Sequence, residues 1–178
     1  MENQRIRLSK SLLKSALMRL LRQKPIEKVT IYELCAEAQI NRTTFYKYYG
    51  SQYDLLTDIE EEYFCKLEQI LSETESSGED SLFRMLVALL ANEEDFKILI
   101  NALPDKDFSD KLFNLPTIKM QLDRTIPDTF SQDERELLRL FFYQGGYALI
   151  RVWLNRDVRE SPKKMARFLN GVILKLTQ

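Results

Sequence analysis

The sequence predicts an all-α fold. Apolar residues recur at three- and four-residue spacing through almost the whole chain, which places them on helix faces. Residues of the helix-capping type precede those runs at Thr30, Asn41, Ser51, Ser131 and Ser161. No stretch alternates apolar and polar positions as a half-buried strand does. With 178 residues and 44% hydrophobic content, the chain can build one good core, or a small head and a larger body that share a helix.

The first helix is expected from Ile6 to Arg22. It turns Leu12, Leu13, Ala16, Leu17, Leu20 and Leu21 inward and Arg5, Arg7, Lys10, Lys14, Arg19 and Arg22 outward. Gln23 to Lys28, with Pro25, reads as a connector. The second helix opens at Thr30 with a capping box closed by Glu33, and Val29 and Leu34 fit the accompanying hydrophobic staple. Ile31, Leu34, Cys35 and Ala38 form its buried face. Asn41 caps a third helix after a turn of about three residues, which forces a steep crossing. Within it Phe45 and Tyr49 can face inward, leaving Arg42, Thr43, Thr44, Tyr46, Lys47 and Tyr48 outside. That outer surface holds cations, hydroxyls and rings but no acid, as a helix that reads base edges and phosphates requires. Gly50 ends the third helix. Ser51, with Asp54 at the third position, caps a fourth that runs to about Ser72.

This segment resembles the DNA-binding domain of the TetR family of bacterial transcriptional regulators. The likeness rests on the Thr30 cap, Leu34-Cys35, Ala38, Arg42, Thr44-Phe45-Tyr46, Tyr49 and Ser51 followed by Leu55-Leu56. It implies a homodimer gripping a palindromic double-stranded DNA operator, and a helical C-terminal domain that binds a small-molecule inducer or a protein co-regulator. A repressor is expected, with an activator that docks a protein partner as the alternative. Two positions depart from the family pattern. Gln39 occupies the turn where the family usually has glycine, and a left-handed backbone there would cost roughly 1 kcal/mol. Gln52 replaces the usual phosphate-contacting lysine and can donate one neutral hydrogen bond. Operator sequence is expected to be read by Arg42, Thr43, Thr44 and Lys47, with Tyr46, Tyr48, Ser51 and Gln52 positioning the backbone.

Composition narrows the function classes. Histidine is absent, and Cys35 and Cys65 are isolated on apolar helix faces, where both read as small buried hydrophobes. No zinc spacing, phosphate loop, dinucleotide fingerprint or nucleophile elbow is present, so neither an enzyme nor a cofactor is expected. No run reaches the roughly 18 apolar residues of a membrane span, and the N-terminus lacks a signal-peptide pattern, so a cytoplasmic protein without membrane contact is expected. Residues 1–53 hold ten Lys or Arg against four Glu, net +6, whereas residues 54–178 are net −7. The positive part coincides with the helix-turn-helix. The basic end of the first helix is read equally as a phosphate contact or as a solvated face. The expected division is a three-helix head over residues 1–53 and a helical regulatory and dimerisation domain over 54–178.

The fourth helix carries Leu55, Leu56, Ile59, Tyr63, Phe64, Leu67, Ile70 and Leu71 on one stripe and reads as a lever into the body or as an ordinary core helix. The segment ETESSGEDS, residues 73–81, breaks the pattern. Further helices are expected at 82–92, 94–103, 109–124, 132–155 and 162–176, with Pro104, Pro116 and Pro127 as breaks or bends. Phe141, Phe142, Gly145, Gly146, Leu149, Trp153, Phe168, Gly171 and Val172 make the last pair too apolar for a solvated layer, and they are assigned to dimerisation. Gly145-Gly146 reads as a close helix approach, as in the bundle the resemblance implies, or as a kink beside a ligand. Phe83, Phe96, Phe113, Met120, Tyr143 and Tyr147 are core residues by spacing and the candidates for a pocket lining.

Overall fold

A computed structural model of the chain describes residues 4–73, 78–102 and 105–177. Among them are ten α-helices and one 3-10 turn, with no strand: α1 (Gln4–Leu21), the turn Ile26–Lys28, α2 (Ile31–Ala38), α3 (Arg42–Tyr46), α4 (Gln52–Ser72), α5 (Gly78–Ala91), α6 (Glu93–Ala102), α7 (Asp105–Phe113), α8 (Pro116–Thr125), α9 (Gln132–Leu154) and α10 (Pro162–Leu176). The all-α class is as expected. The described residues form two compact units that part between Tyr63 and Phe64, inside α4, with Asn101 and Ala102 counted in the first.

In the first unit α1 packs on α2 and α2 on α3. Leu13, Ala16, Leu17, Leu34, Phe45, Leu55 and Leu56 are wholly buried there, each large side chain contributing about 1.5 to 3 kcal/mol. Leu12 is exposed, because the inward stripe of α1 is narrower than the count of its leucines suggests. The capping box of α2 is fully formed: the Thr30 hydroxyl accepts from the Glu33 amide at 3.2 Å, and the Thr30 amide donates to Glu33 Oε2 at 3.1 Å. Asn41 Oδ1 accepts from the Thr44 amide at 3.0 Å. The helical part of α3 ends at Tyr46, and Lys47 and Tyr48 form a turn that still delivers Tyr49 to the core.

The second unit is built on α5 packed along α10 and α7 packed on α9. Phe108 lies at its centre, with ring centroids 5.0 Å from Phe64 and 6.1 Å from Tyr147. The helix expected over 109–124 is two helices. Pro116 lacks an amide hydrogen and excludes the helical region for the residue before it, so Leu115 takes φ −56°, ψ 129° and α8 restarts with proline in its first turn. Residues 74–77 of the polar break, and Pro104, lie outside the described residues, whereas Gly78 to Ser81 belong to α5. Cys35 is buried as expected, but Cys65 is exposed, on the solvent side of α4.

Candidate functional site

The third helix is presented by three separate fixings. Asn41 caps its start, accepting also from the Thr44 hydroxyl at 3.1 Å, so Thr44 is half-buried against its own cap. Phe45 anchors its middle, with Tyr46 edge-on at 5.4 Å and 83°. Beyond its end the Tyr49 hydroxyl donates to Asp58 Oδ2 on α4 at 2.5 Å, while Lys14 of α1 reaches the same carboxylate at 3.0 Å and Glu62 at 2.6 Å. Burial alone would push the Asp58 carboxyl up, but the Tyr49 hydroxyl and the Lys14 ammonium together hold it below the ordinary aspartate value. The network ties α1, the turn after α3, and α4 into one rigid mount, and sequence periodicity did not reveal it. Its sequence signal was Asp58 and Glu62, one turn apart beside the apolar stripe of α4, whereas Lys14, read as outward, is drawn in to meet them.

On the outside, Arg42, Thr43, Tyr46 and Lys47 are exposed around one shallow hollow. No carboxylate occurs from Asn41 to Gln52, and neither Arg42 nor Lys47 forms an ion pair among the described residues. The acids that flank this stretch are occupied: upstream, Glu37 pairs with Arg19 at 2.5 Å and Glu33 with Lys24 at 2.7 Å, and downstream the Asp54 carboxylate accepts from the Gly50 amide. Lys24, with the Thr30 hydroxyl and amide, lowers the Glu33 carboxyl to about 2, so it stays anionic and bonded in the cap. The hollow therefore offers two uncompensated cations, a hydroxyl and a phenol to an anionic, hydrogen-bonding surface. Tyr48 is half-buried against Tyr49, and Ser51 and Gln52 are half-buried at the start of α4, where the Ser51 hydroxyl accepts from the Asp54 amide at 3.2 Å and the Asp54 carboxylate accepts from the Gly50 amide at 2.9 Å.

The second unit contains a cavity of about 180 Å³ bounded by α5, α8, α9 and α10, with Leu71 and Phe113 completing its wall. Of the six aromatic and methionine candidates, it gathers two, Phe113 and Tyr143, whose rings stack at 4.9 Å and 14°. Phe96 and Tyr147 are not among its lining, because they are buried in helix packing, where the Tyr147 hydroxyl donates to the Ile100 carbonyl at 3.2 Å; Phe83, half-buried on α5, is not among it either. Met120 is exposed on the other side of α8. Sequence reading missed Ser81, Gln121, Thr125 and Asn170 as lining residues. Gln121 and Thr125 carried a signal, since they interrupt an α8 face that Ile118 and Leu122 otherwise make apolar.

Of the residues assigned to dimerisation, Phe141, Leu149 and Phe168 are exposed. Gly145, Gly146, Gly171 and Val172 are half-buried. Phe142 and Trp153 are buried within their own chain, the Trp153 indole donating to the Glu160 carbonyl at 2.9 Å, so they back the α9 surface from behind and do not form it. A Cβ at Gly146 would meet the Phe113 ring at 3.4 Å, whereas one at Gly145 would meet nothing within 4 Å. The close approach predicted for this pair is thus to a ring of α7, at one glycine only.

A small helical unit with an exposed cationic third helix, followed by a larger helical unit, has the organisation of helix-turn-helix DNA-binding proteins that carry a second helical unit. The family model for bacterial regulatory proteins of the tetR family matches residues 13–59, and that for a transcriptional regulator C-terminal region matches residues 77–175. The chain belongs to the TetR family of transcriptional regulators. Its fold is similar to that of a TetR transcriptional regulator from Streptococcus agalactiae 2603V, with TM-score 0.78 at 19% identity over 95% of each chain. A TetR-family regulator from Syntrophomonas wolfei gives 0.66 at 14% identity, covering 95% of this chain and 94% of that one. The dihydroxyacetone kinase operon activator DhaS gives 0.59 at 18% identity, covering 95% and 96%. A search of curated proteins returned no match. No helix among the described residues is long and apolar enough to cross a membrane.

Proposed function

We propose that the protein is a repressor that binds a palindromic operator as a homodimer, through a head over residues 1–53, and releases it when a small molecule occupies the body over residues 54–178. The observation that carries the reading is the hollow of Arg42, Thr43, Tyr46 and Lys47, exposed, cationic and free of carboxylates. Arginine and lysine at the start of such a helix pair with guanine, and a threonine methyl meets thymine, so these residues supply both affinity and sequence choice. The exposed faces of α9 and α10 support pairing of two chains, and the cavity supports control by a ligand.

The test selects bound sequences from a random DNA pool with the full chain, then measures affinity for the selected site and for a scrambled duplex by fluorescence anisotropy. A selected site with two inverted half-sites, bound at least about a thousandfold more tightly than the scrambled duplex, supports the reading. A Lys47→Ala protein that binds both duplexes as the parent does would refute it. Transcription in vitro from a promoter overlapping the selected site should fall as protein is added. A rise instead supports the second reading, an activator, which the fold likeness to a protein named an operon activator favours.

A further inference from the structure

We propose that the cavity between α5, α8, α9 and α10 selects an uncharged, predominantly apolar small molecule carrying one or two neutral hydrogen-bonding groups, and rejects ions of either sign; this names the effector class and rests on the reading of the protein as an effector-controlled regulator. Every residue lining the cavity is uncharged, and most are aliphatic or aromatic. An ion entering it would leave water and meet no charged side chain on the wall, the charges nearest Tyr143, Asp123 and Arg139, being paired with each other at 2.5 Å, and the penalty far exceeds what apolar contacts return. The polar groups of the wall are mostly engaged with one another. The Ser81 hydroxyl donates to Gln121 Oε1, and the Thr125 hydroxyl donates to the Gln121 carbonyl at 2.9 Å. The half-buried Asn170 amide and the buried Tyr143 hydroxyl, by contrast, make no hydrogen bond among the described residues, and each can meet one neutral donor or acceptor. The volume of about 180 Å³ suits a molecule of two or three rings or a branched chain.

Two dyes of one skeleton test this: N-phenyl-1-naphthylamine, which is neutral, and 8-anilinonaphthalene-1-sulfonate, which adds an anion. The full chain should bind the neutral dye saturably at one per chain and the sulfonate at least about tenfold more weakly. Gly145→Leu should abolish binding of the neutral dye while folding and, by light scattering, oligomeric state stay as in the parent, because the side chain enters open space beside the cavity while leucine favours helix over glycine. Thr125→Lys should narrow or reverse the preference by supplying the missing charge. Equal affinities of the parent for both dyes would overturn the proposal, as would neutral-dye binding that Gly145→Leu leaves intact. Binding of the neutral dye only after dilution has dissociated the chains would also overturn it, since the cavity would then belong to a second copy. Operator affinity is measured separately with the dye bound. A dye bound with the expected selectivity that leaves operator affinity unchanged refutes effector control and leaves the ligand class standing.

Discussion

Gln39 holds a left-handed backbone, φ 55° and ψ 37°, at the end of α2, and among the described residues it alone does so without being glycine. The turn between α2 and α3 needs that conformation, and a side chain there costs about 1 kcal/mol against the neighbouring carbonyl. Glycine removes the clash but gains more freedom in the unfolded chain, so Gln39→Gly should raise stability by about 0.5 kcal/mol in urea unfolding. A loss would show that the Gln39 side chain does more than the turn requires. The roles along α3 separate in the same way. Thr43 is exposed on the first turn, whereas Tyr48 is half-buried beside Tyr49. Thr43→Ala should cost roughly 1 to 3 kcal/mol on the cognate duplex and relax one base preference, while Tyr48→Phe weakens cognate and scrambled duplexes alike. Anisotropy titrations on both duplexes check this, and the reverse pattern would exchange the two roles.

At the scale of elements, the connection between α9 and α10 is held to α6 by one carboxylate. Arg159 meets both oxygens of Glu93, one of them at 2.8 Å, Lys97 reaches Glu93 at 2.7 Å, and the Arg159 guanidinium lies 5.4 Å from the Trp153 ring centre. Arg159 first, then Lys97, lowers the Glu93 carboxyl to about 2 from an ordinary value of 4.5. Because the folded value is the lower, the contribution is complete above about pH 4.5 and is lost as pH falls towards 2. Glu93→Gln should therefore destabilise the protein by about 1 kcal/mol at neutral pH, the pair being partly solvated, and flatten the acid limb of thermal stability in that window. An unchanged acid limb would remove Glu93 from it. This clamp joins residues 66 positions apart, which explains why periodicity and capping did not disclose it. What those signals did disclose was local. The capping box at Thr30 and the caps at Asn41, Ser131 and Ser161 each depend on residues within one turn, and each is present as read. The candidate interface on α3 was legible for the same reason. Cys65 and Leu12 were misassigned because a stripe in sequence does not say how wide a face its neighbours cover. The cavity lining was mostly missed because it is assembled from six helices.

Over the whole molecule, charge and apolar surface divide the labour. The net +6 of residues 1–53 is set against net −7 beyond them, so attraction to DNA is concentrated in the head. Exposed apolar side chains also gather on the last two helices: Leu137, Phe141 and Val152 on α9 are 66%, 57% and 52% exposed, and Phe168 on α10 is 54% exposed. Three of these are four or more residues apart along one side of α9, a pattern that water does not favour and a second chain can cover. Light scattering should accordingly find a dimer at low micromolar concentration, and Phe168→Glu, which places a charge on that face away from the core, should shift it to monomer with little change in melting. The two properties are then linked through salt. A dimer bound to an operator neutralises phosphates with two heads, and log affinity falls with log salt in proportion to the contacts made. Between about 50 and 200 mM salt the parent should show a steep slope on the selected operator, and the monomeric variant about half that slope on the same duplex. A variant that is monomeric in solution yet keeps the full slope would mean that the heads bind DNA independently of the α9 and α10 contact, and the dimer proposed for operator binding would fail.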